Sequence, residues 1–187
     1  MYKRNILLSL CFLCLFLINP LWTEKGEGLE IGGDFPSFYL KDIDGNDFFL
    51  KEYTGEKAKN NFKGIIFSFC ASYCKPCKKE IPELGKLLQK YEGKGLGIFL
   101  VALEKEDQAQ KLIVETETTI PVLVDKHLVV QKLIGFVGIP FTVLIDSNGK
   151  VRYMGTSFSE DNAEEIMERL EHAVLGVLGI DSGDAGQ

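Results

Sequence analysis

Three of the five cysteines in this 187-residue chain, Cys70, Cys74 and Cys77, fall within eight residues, where an apolar run ends and a helical pattern begins. Two thiols with two residues between them on the first turn of a helix can close a small disulfide ring and reopen it. The helix start matters because its unpaired N–H groups and the positive end of its macrodipole stabilise a thiolate, and Lys75 adds a cation next door. Cys74 is therefore expected to be the acidic, attacking thiol. Cys77, one turn inward, is expected to resolve the mixed disulfide. Pro76 suits the first turn, where a missing N–H costs little and a fixed φ stiffens the ring.

Other chemistries use the same residue types. A C-x-x-C pair also serves zinc, but the remaining candidate ligands, Cys70, His127 and His172, stand at no finger or knuckle spacing, so neither a structural metal nor a bound cofactor is expected. Cys11 and Cys14 repeat the spacing inside an unbroken apolar run without a helix start, a charge or a turn residue, and read as small apolar residues. Cys70 is expected to be a buried strand-end thiol. The alternative is a copper metallochaperone in which Cys70, Cys74 and Cys77 hold Cu(I), since soft thiolates select that ion. A peroxidase needs one attacking thiol in a pocket supported by Thr and Arg; the nearest arginine in sequence is Arg152, which ranks this reading last. The acids of Asp42–Asp47 invite calcium, but the glycine comes one place early for an EF-hand loop and Tyr53 stands where the bidentate Glu belongs, so a turn is expected.

The elements that must position the cysteines follow from periodicity. Ile65–Phe69, a helical stretch from Cys74 to about Tyr91, and Ile98–Leu103 form a strand, helix, strand unit, whose strands should pair in parallel under covering helices. Pro82 falls inside that helix and should kink it by removing an N–H. Phe38–Leu40 and Phe48–Leu50 flank a turn and suggest an N-terminal hairpin. A polar helix around Glu106–Glu115, an apolar run at 121–124 and a short helix around Lys126–Ile134 come next. Phe141–Ile145 and Lys150–Gly155 flank Asp146-Ser147-Asn148-Gly149 as an antiparallel hairpin. A last helix carries Ala163, Ile166, Met167, Leu170 and Val174 as one stripe. The order implies an α/β fold with a mixed central sheet and helices on both faces.

Hydrophobic residues at 45% and charged residues at 26% are ordinary globular values, and a net charge of -6 with scattered lysines excludes a nucleic-acid surface. The N-terminus differs: Lys3 and Arg4 precede an uncharged run from Ile6 to Ile18, which reads as an export signal. Thirteen helical residues rise only about 20 Å against a hydrocarbon core of about 30 Å, although Leu21 and Trp22 extend the run. With no small-x-small cleavage site, and with Leu10 and Leu13 spoiling lipoprotein boxes at Cys11 and Cys14, a retained anchor is favoured over a cleaved signal. The expected divisions are 1–22 signal or anchor, 23–33 linker, 34–175 domain and 176–187 flexible tail.

The stretch from Phe69 to Pro82, Phe-Cys-Ala-Ser-Tyr-Cys-Lys-Pro-Cys-Lys-Lys-Glu-Ile-Pro, resembles the active site of the TlpA/ResA-like branch of the thioredoxin superfamily. Asp34-Phe35-Pro36-Ser37-Phe38 with Asp42 and Gly45 resembles its entry hairpin, and Gly138-Ile139-Pro140-Phe141-Thr142 its cis-proline segment. The likeness covers about residues 31–175. It implies a thioredoxin fold with an N-terminal β-hairpin extension, often membrane-tethered; with the N-terminal segment, a monomer working outside the cytoplasm is expected. The activity implied is exchange of dithiol and disulfide with partner proteins, apocytochrome c among them, supplied by a membrane electron donor. It implies a cis bond before Pro140, a groove formed with Tyr73, Lys75, Pro76 and Ile139, and a proton-handling role for Glu80, which spacing places on the helix face of Cys77. Two departures stand out: the branch usually has tryptophan at the positions of Cys70 and Tyr73. Ser68 stands where cytoplasmic thioredoxins carry a buried Asp.

Overall fold

In a computed structural model, residues 28–181 are described apart from Lys57 and Asn61. The chain runs β1 (Tyr39–Asp42), β2 (Asp47–Phe49), β3 (Gly64–Cys70), α1 (Lys75–Tyr91), β4 (Leu96–Ala102), α2 (Glu106–Thr116), β5 (Val122–Val124), α3 (Val129–Ile134), β6 (Phe141–Asp146), β7 (Val151–Thr156) and α4 (Ala163–Leu178). All seven strands join one sheet in the order β2-β1-β5-β4-β3-β6-β7. β3 pairs in parallel with β4, and β4 with β5, while β6 pairs antiparallel with both β3 and β7. The sheet is therefore mixed, and β3, which leads into the cysteines, lies between β4 and β6.

Every residue of β3 is buried, as expected of a strand covered on both faces. Its side chains alternate. Ile65, Phe67 and Phe69 enter one core with the N-terminal hairpin and α3, whereas Ile66 and Cys70 enter the other with α1, α2 and α4. The first core is aromatic: Phe38 meets Phe67 edge-on at 5.3 Å and Phe48 meets Phe99 at 4.8 Å. Such pairs contribute about 0.5–1.5 kcal/mol each beyond their burial, which fixes the hairpin to the face opposite α1. Helices thus cover both faces, three on one side and the short α3 on the other.

α1 buries Cys77, Glu80, Ile81, Leu84, Leu87 and Tyr91, one stripe at helical spacing that includes a carboxylate. Pro82 lies inside this helix. The Tyr91 hydroxyl donates to Glu171 at 2.6 Å and ties α1 to α4. Both hairpin turns place glycine in the left-handed region, Gly45 at φ 87° and Gly149 at φ 79°.

Several boundaries differ from the sequence expectation. α3 starts at Val129, not near Lys126, because the Asp125 carboxylate accepts the N–H groups of Val129, Val130 and Gln131 and Leu128 turns the chain at φ 56°. α4 continues past 175 to Leu178, which is buried, and Gly179 caps it. Gly32 and Gly33, assigned to the linker, exchange backbone hydrogen bonds with Val151 at 2.7 and 3.0 Å. The candidate signal or anchor, with Cys11 and Cys14, lies outside the described residues, and none of the described helices is long and apolar enough to cross a membrane.

Candidate active site

β3 ends at Cys70, the chain turns through Ala71, Ser72 and Tyr73, and α1 begins at Lys75. Cys74 occupies the N-cap position, where its Sγ accepts the Cys77 N–H at 3.2 Å. Cys74 and Cys77 form a disulfide with Cα atoms 5.3 Å apart. The two sulfurs are not equivalent. Cys74 is 6% exposed and Cys77 is fully buried, so an incoming partner meets Cys74 first. Tyr73, 75% exposed, and the exposed Lys75 and Pro76 surround that opening.

The Cys77 N–H on Cys74 Sγ belongs to the first turn of α1, the positive end of a helix of 17 residues. Beyond it, Lys78 pairs with Glu115 and Lys79 with Glu160, so both belong to the solvated flank of the helix.

Glu80 points inward. It is 3% exposed, and its two oxygens accept hydrogen bonds from Ser68 Oγ and Thr142 Oγ1, both at 2.9 Å. Burial pushes its carboxyl above the usual range, against the two hydroxyls, which favour the charged form. Ser68 comes from β3 and Thr142 from β6, so the carboxylate is held across a strand pair in which Ser68 and Thr142 are direct partners. This buried acid stands at the position to which the family resemblance assigned the proton-handling acid, and it is bonded to a hydroxyl at the strand position where cytoplasmic thioredoxins carry an Asp.

Pro140 is buried, is preceded by a cis bond from the half-buried Ile139, and leads directly into β6. The same strand that carries the proline segment therefore carries Thr142 to Glu80.

Cys70 is a free, fully buried thiol whose S–H faces the Val101 carbonyl at 3.8 Å. Burial pushes this thiol far up, and the Glu80 and Glu104 carboxylates push it further. Among the described residues no group of three His, Cys, Asp or Glu side chains is placed to hold a metal ion. Arg152 donates to Asp146 at 2.6 and 2.8 Å, at the end of β6 away from Pro140, so it supports no peroxidase pocket.

Sequence reasoning missed three contributors. Thr142 lay inside the quoted proline segment without an assigned role. Glu104 accepts the Ser72 N–H at 2.7 Å and its hydroxyl at 2.9 Å. Asp125 caps α3, the helix leading toward the proline. Strand pairing brings Thr142 opposite Ser68, which the alternation of β3 could have suggested; no local pattern marks Glu104.

Comparison with known proteins agrees with this geometry. Residues 31–154 match the AhpC/TSA family. A protein of Bacillus thuringiensis subsp. konkukian (strain 97-27) described as thiol-disulfide oxidoreductase ResA is 33% identical over 172 residues, 91% of this chain and 92% of its own length. A Bacillus anthracis protein of the same description is 36% identical over 155 residues, 81% of this chain and 84% of its own. Among solved structures, one described as a thiol:disulfide interchange protein DsbE from Chlorobium tepidum superposes with a TM-score of 0.71 at 29% identity, covering 81% of this chain and all 100% of that one. The chain belongs to the AhpC/TSA family of thioredoxin-fold proteins and, within it, to the TlpA/ResA-like thiol–disulfide oxidoreductases, with Cys74 and Cys77 joined as a C-x-x-C disulfide.

Proposed function

We propose that this oxidoreductase works outside the cytoplasm as a reductant of partner-protein disulfides, apocytochrome c among them. The carrying observation is the asymmetry of the site: Cys74, on a helix N-cap, keeps 6% of its surface exposed, whereas Cys77 is fully buried on the helix face of an inward-pointing Glu80. In the reduced protein the Cys74 thiolate attacks one sulfur of the partner's disulfide, forming a Cys74–partner bond and releasing the first partner thiolate. Cys77 then gives its proton to the Glu80 carboxylate and attacks Cys74, which closes the Cys74–Cys77 bond and releases the second partner thiolate. Two electrons pass to the partner, and an upstream dithiol donor at the membrane returns them. Tyr73, Lys75, Pro76 and Ile139 line the opening, and Pro140 removes a backbone donor from the groove. The burial of Cys70 argues against a three-thiolate copper site.

The test is paired. Reduction of insulin and of an oxidised Cys-x-x-Cys-His peptide by the dithiol form, with a reduction potential near thioredoxin's value of about -270 mV, is the expected result. A potential near -120 mV, that of an oxidant, would overturn the direction. Tight Cu(I) binding that needs Cys70 and the absence of insulin reduction would restore the metallochaperone reading.

A further inference from the structure

Glu104 lies two residues beyond β4 and is 7% exposed. Its contacts are concentrated on one residue of the active-site turn: Oε1 accepts the Ser72 N–H at 2.7 Å and Oε2 accepts the Ser72 hydroxyl at 2.9 Å. The same turn is also held by the Cys74 N–H on the Ala71 carbonyl, 3.0 Å, and by the Leu103 N–H on the Cys70 carbonyl, 2.9 Å. Among the described residues no cation pairs with Glu104. A buried carboxylate compensated only by an uncharged serine is costly, and a neutral amide could accept the same N–H. The charge itself therefore needs a reason.

Its position supplies one. Ser72 is two residues before Cys74, a span of at most about 7 Å of chain. Glu80 and Glu104 both push up the thiol of Cys70, the last residue of β3 before the turn. Around the turn stand two buried acids, Glu80 on α1 and Glu104 after β4, and two positive features, Lys75 and the α1 N-terminus.

We propose that Glu104 is a positioning residue of the redox couple, clamping Ser72 so that Cys74 sits at the N-cap of α1, while its negative charge disfavours the Cys74 thiolate and makes the couple more reducing. The redox step is unchanged. The upstream dithiol donor gives two electrons to break the Cys74–Cys77 bond and itself closes to a disulfide, and its protons pass to the new thiols or to solvent. The charge acts on the reduced side alone, because the disulfide carries no charge to repel. The inference rests on Cys74 being the attacking sulfur.

The experiment compares the wild type with Glu104→Gln, Glu104→Ala and Ser72→Ala by equilibration in glutathione buffers, by thiolate absorbance against pH, and by insulin reduction. Glu104→Gln keeps an acceptor for the Ser72 N–H and removes the charge. Its equilibrium should shift toward the dithiol by about threefold to tenfold, at most about 30 mV, with thiolate appearing at lower pH. Glu104→Ala should show the same shift and also slow insulin reduction by about tenfold, a loss that Gln rescues. Should Glu104→Ala fail to fold, Glu104→Gln carries the charge arm and Ser72→Ala the clamp arm, the latter slowing reduction while leaving the equilibrium in place. A wild-type equilibrium and thiolate titration in Glu104→Gln, with Cys74 still labelled first by iodoacetamide, overturns the inference alone. Labelling of Cys77 first in the wild type overturns the attacker assignment instead.

Discussion

Replacing Glu80 by Gln and by Ala separates the scaffold of this site from its proton chemistry. In the native protein the carboxylate is the partner of two hydroxyls, Ser68 with no exposure and Thr142 with 3%. Alanine leaves both hydroxyls buried without a partner, at about 1–3 kcal/mol each, so Glu80→Ala should lose about 2–6 kcal/mol of unfolding free energy. That is a large share of the 5–15 kcal/mol typical of a domain, and the urea midpoint should fall accordingly. Glutamine keeps the shape, and the hydroxyls can turn to accept from its amide, so Glu80→Gln should stay within about 1 kcal/mol of the parent. What Gln removes is titration. Because burial raises the Glu80 carboxyl above its unfolded value, the native state holds the proton longer than the unfolded chain does. This contribution to stability is fully present below the unfolded value and is lost as pH rises through the native one. The wild type should therefore lose stability across that window relative to Glu80→Gln. In catalysis, loss of the base should slow resolution by about 100-fold and let Cys74–partner mixed disulfides accumulate, read by acid quench and mass spectrometry of single-turnover reactions with a model disulfide. Unchanged resolution kinetics together with a parallel pH–stability profile in Glu80→Gln would refute the proton-handling role and leave the two-cysteine chemistry standing.

In the reduced protein at mildly acidic pH, iodoacetamide should label Cys74 well before Cys77; equal rates would contradict the assignment of attacker and resolver. Residues 1–25 fused to a reporter that matures only after export should carry it across the membrane, and a reporter retained in the cytoplasm would sink the extracytoplasmic reading. Asp146, despite burial that acts the other way, is held below the usual carboxylate range by the Lys150 N–H, Arg152 and the Asn148 N–H. Its contribution is present above the unfolded value and lost as pH falls through the native one, so the urea midpoint of the wild type should drop more steeply on acidification than that of Asp146→Asn. Identical acid profiles would show that the turn is held without the charge.

Sequence alone determined the redox pair, because the chemistry of Cys74 and Cys77 depends on local things: a spacing of three, a helix start and a proline in the first turn. It also determined most of the element order, since each strand and helix announces its own period. Boundaries were legible where a local signal ends an element, as at Gly149, and misplaced where a distant or returning side chain decides them. α3 begins late because the Asp125 carboxylate takes its first N–H groups, and α4 outlasts Gly176 because Leu178 finds a core to enter.

The tertiary structure decided the environment of the pair. Glu80 reads from spacing as one more helix charge, and pairing of β3 with β6 makes it a buried acid by setting Ser68 and Thr142 side by side across 74 residues of sequence. Cys70 could have been a third ligand until alternation along β3 and the Val101 carbonyl placed it in the core. Glu104 carries no sequence signature, because its role depends on the parallel register that lays the end of β4 beside the end of β3. Which thiols can react is a property of a few neighbouring residues. How strongly each state is held depends on burial and on charges brought near from far along the chain, and only packing sets those distances.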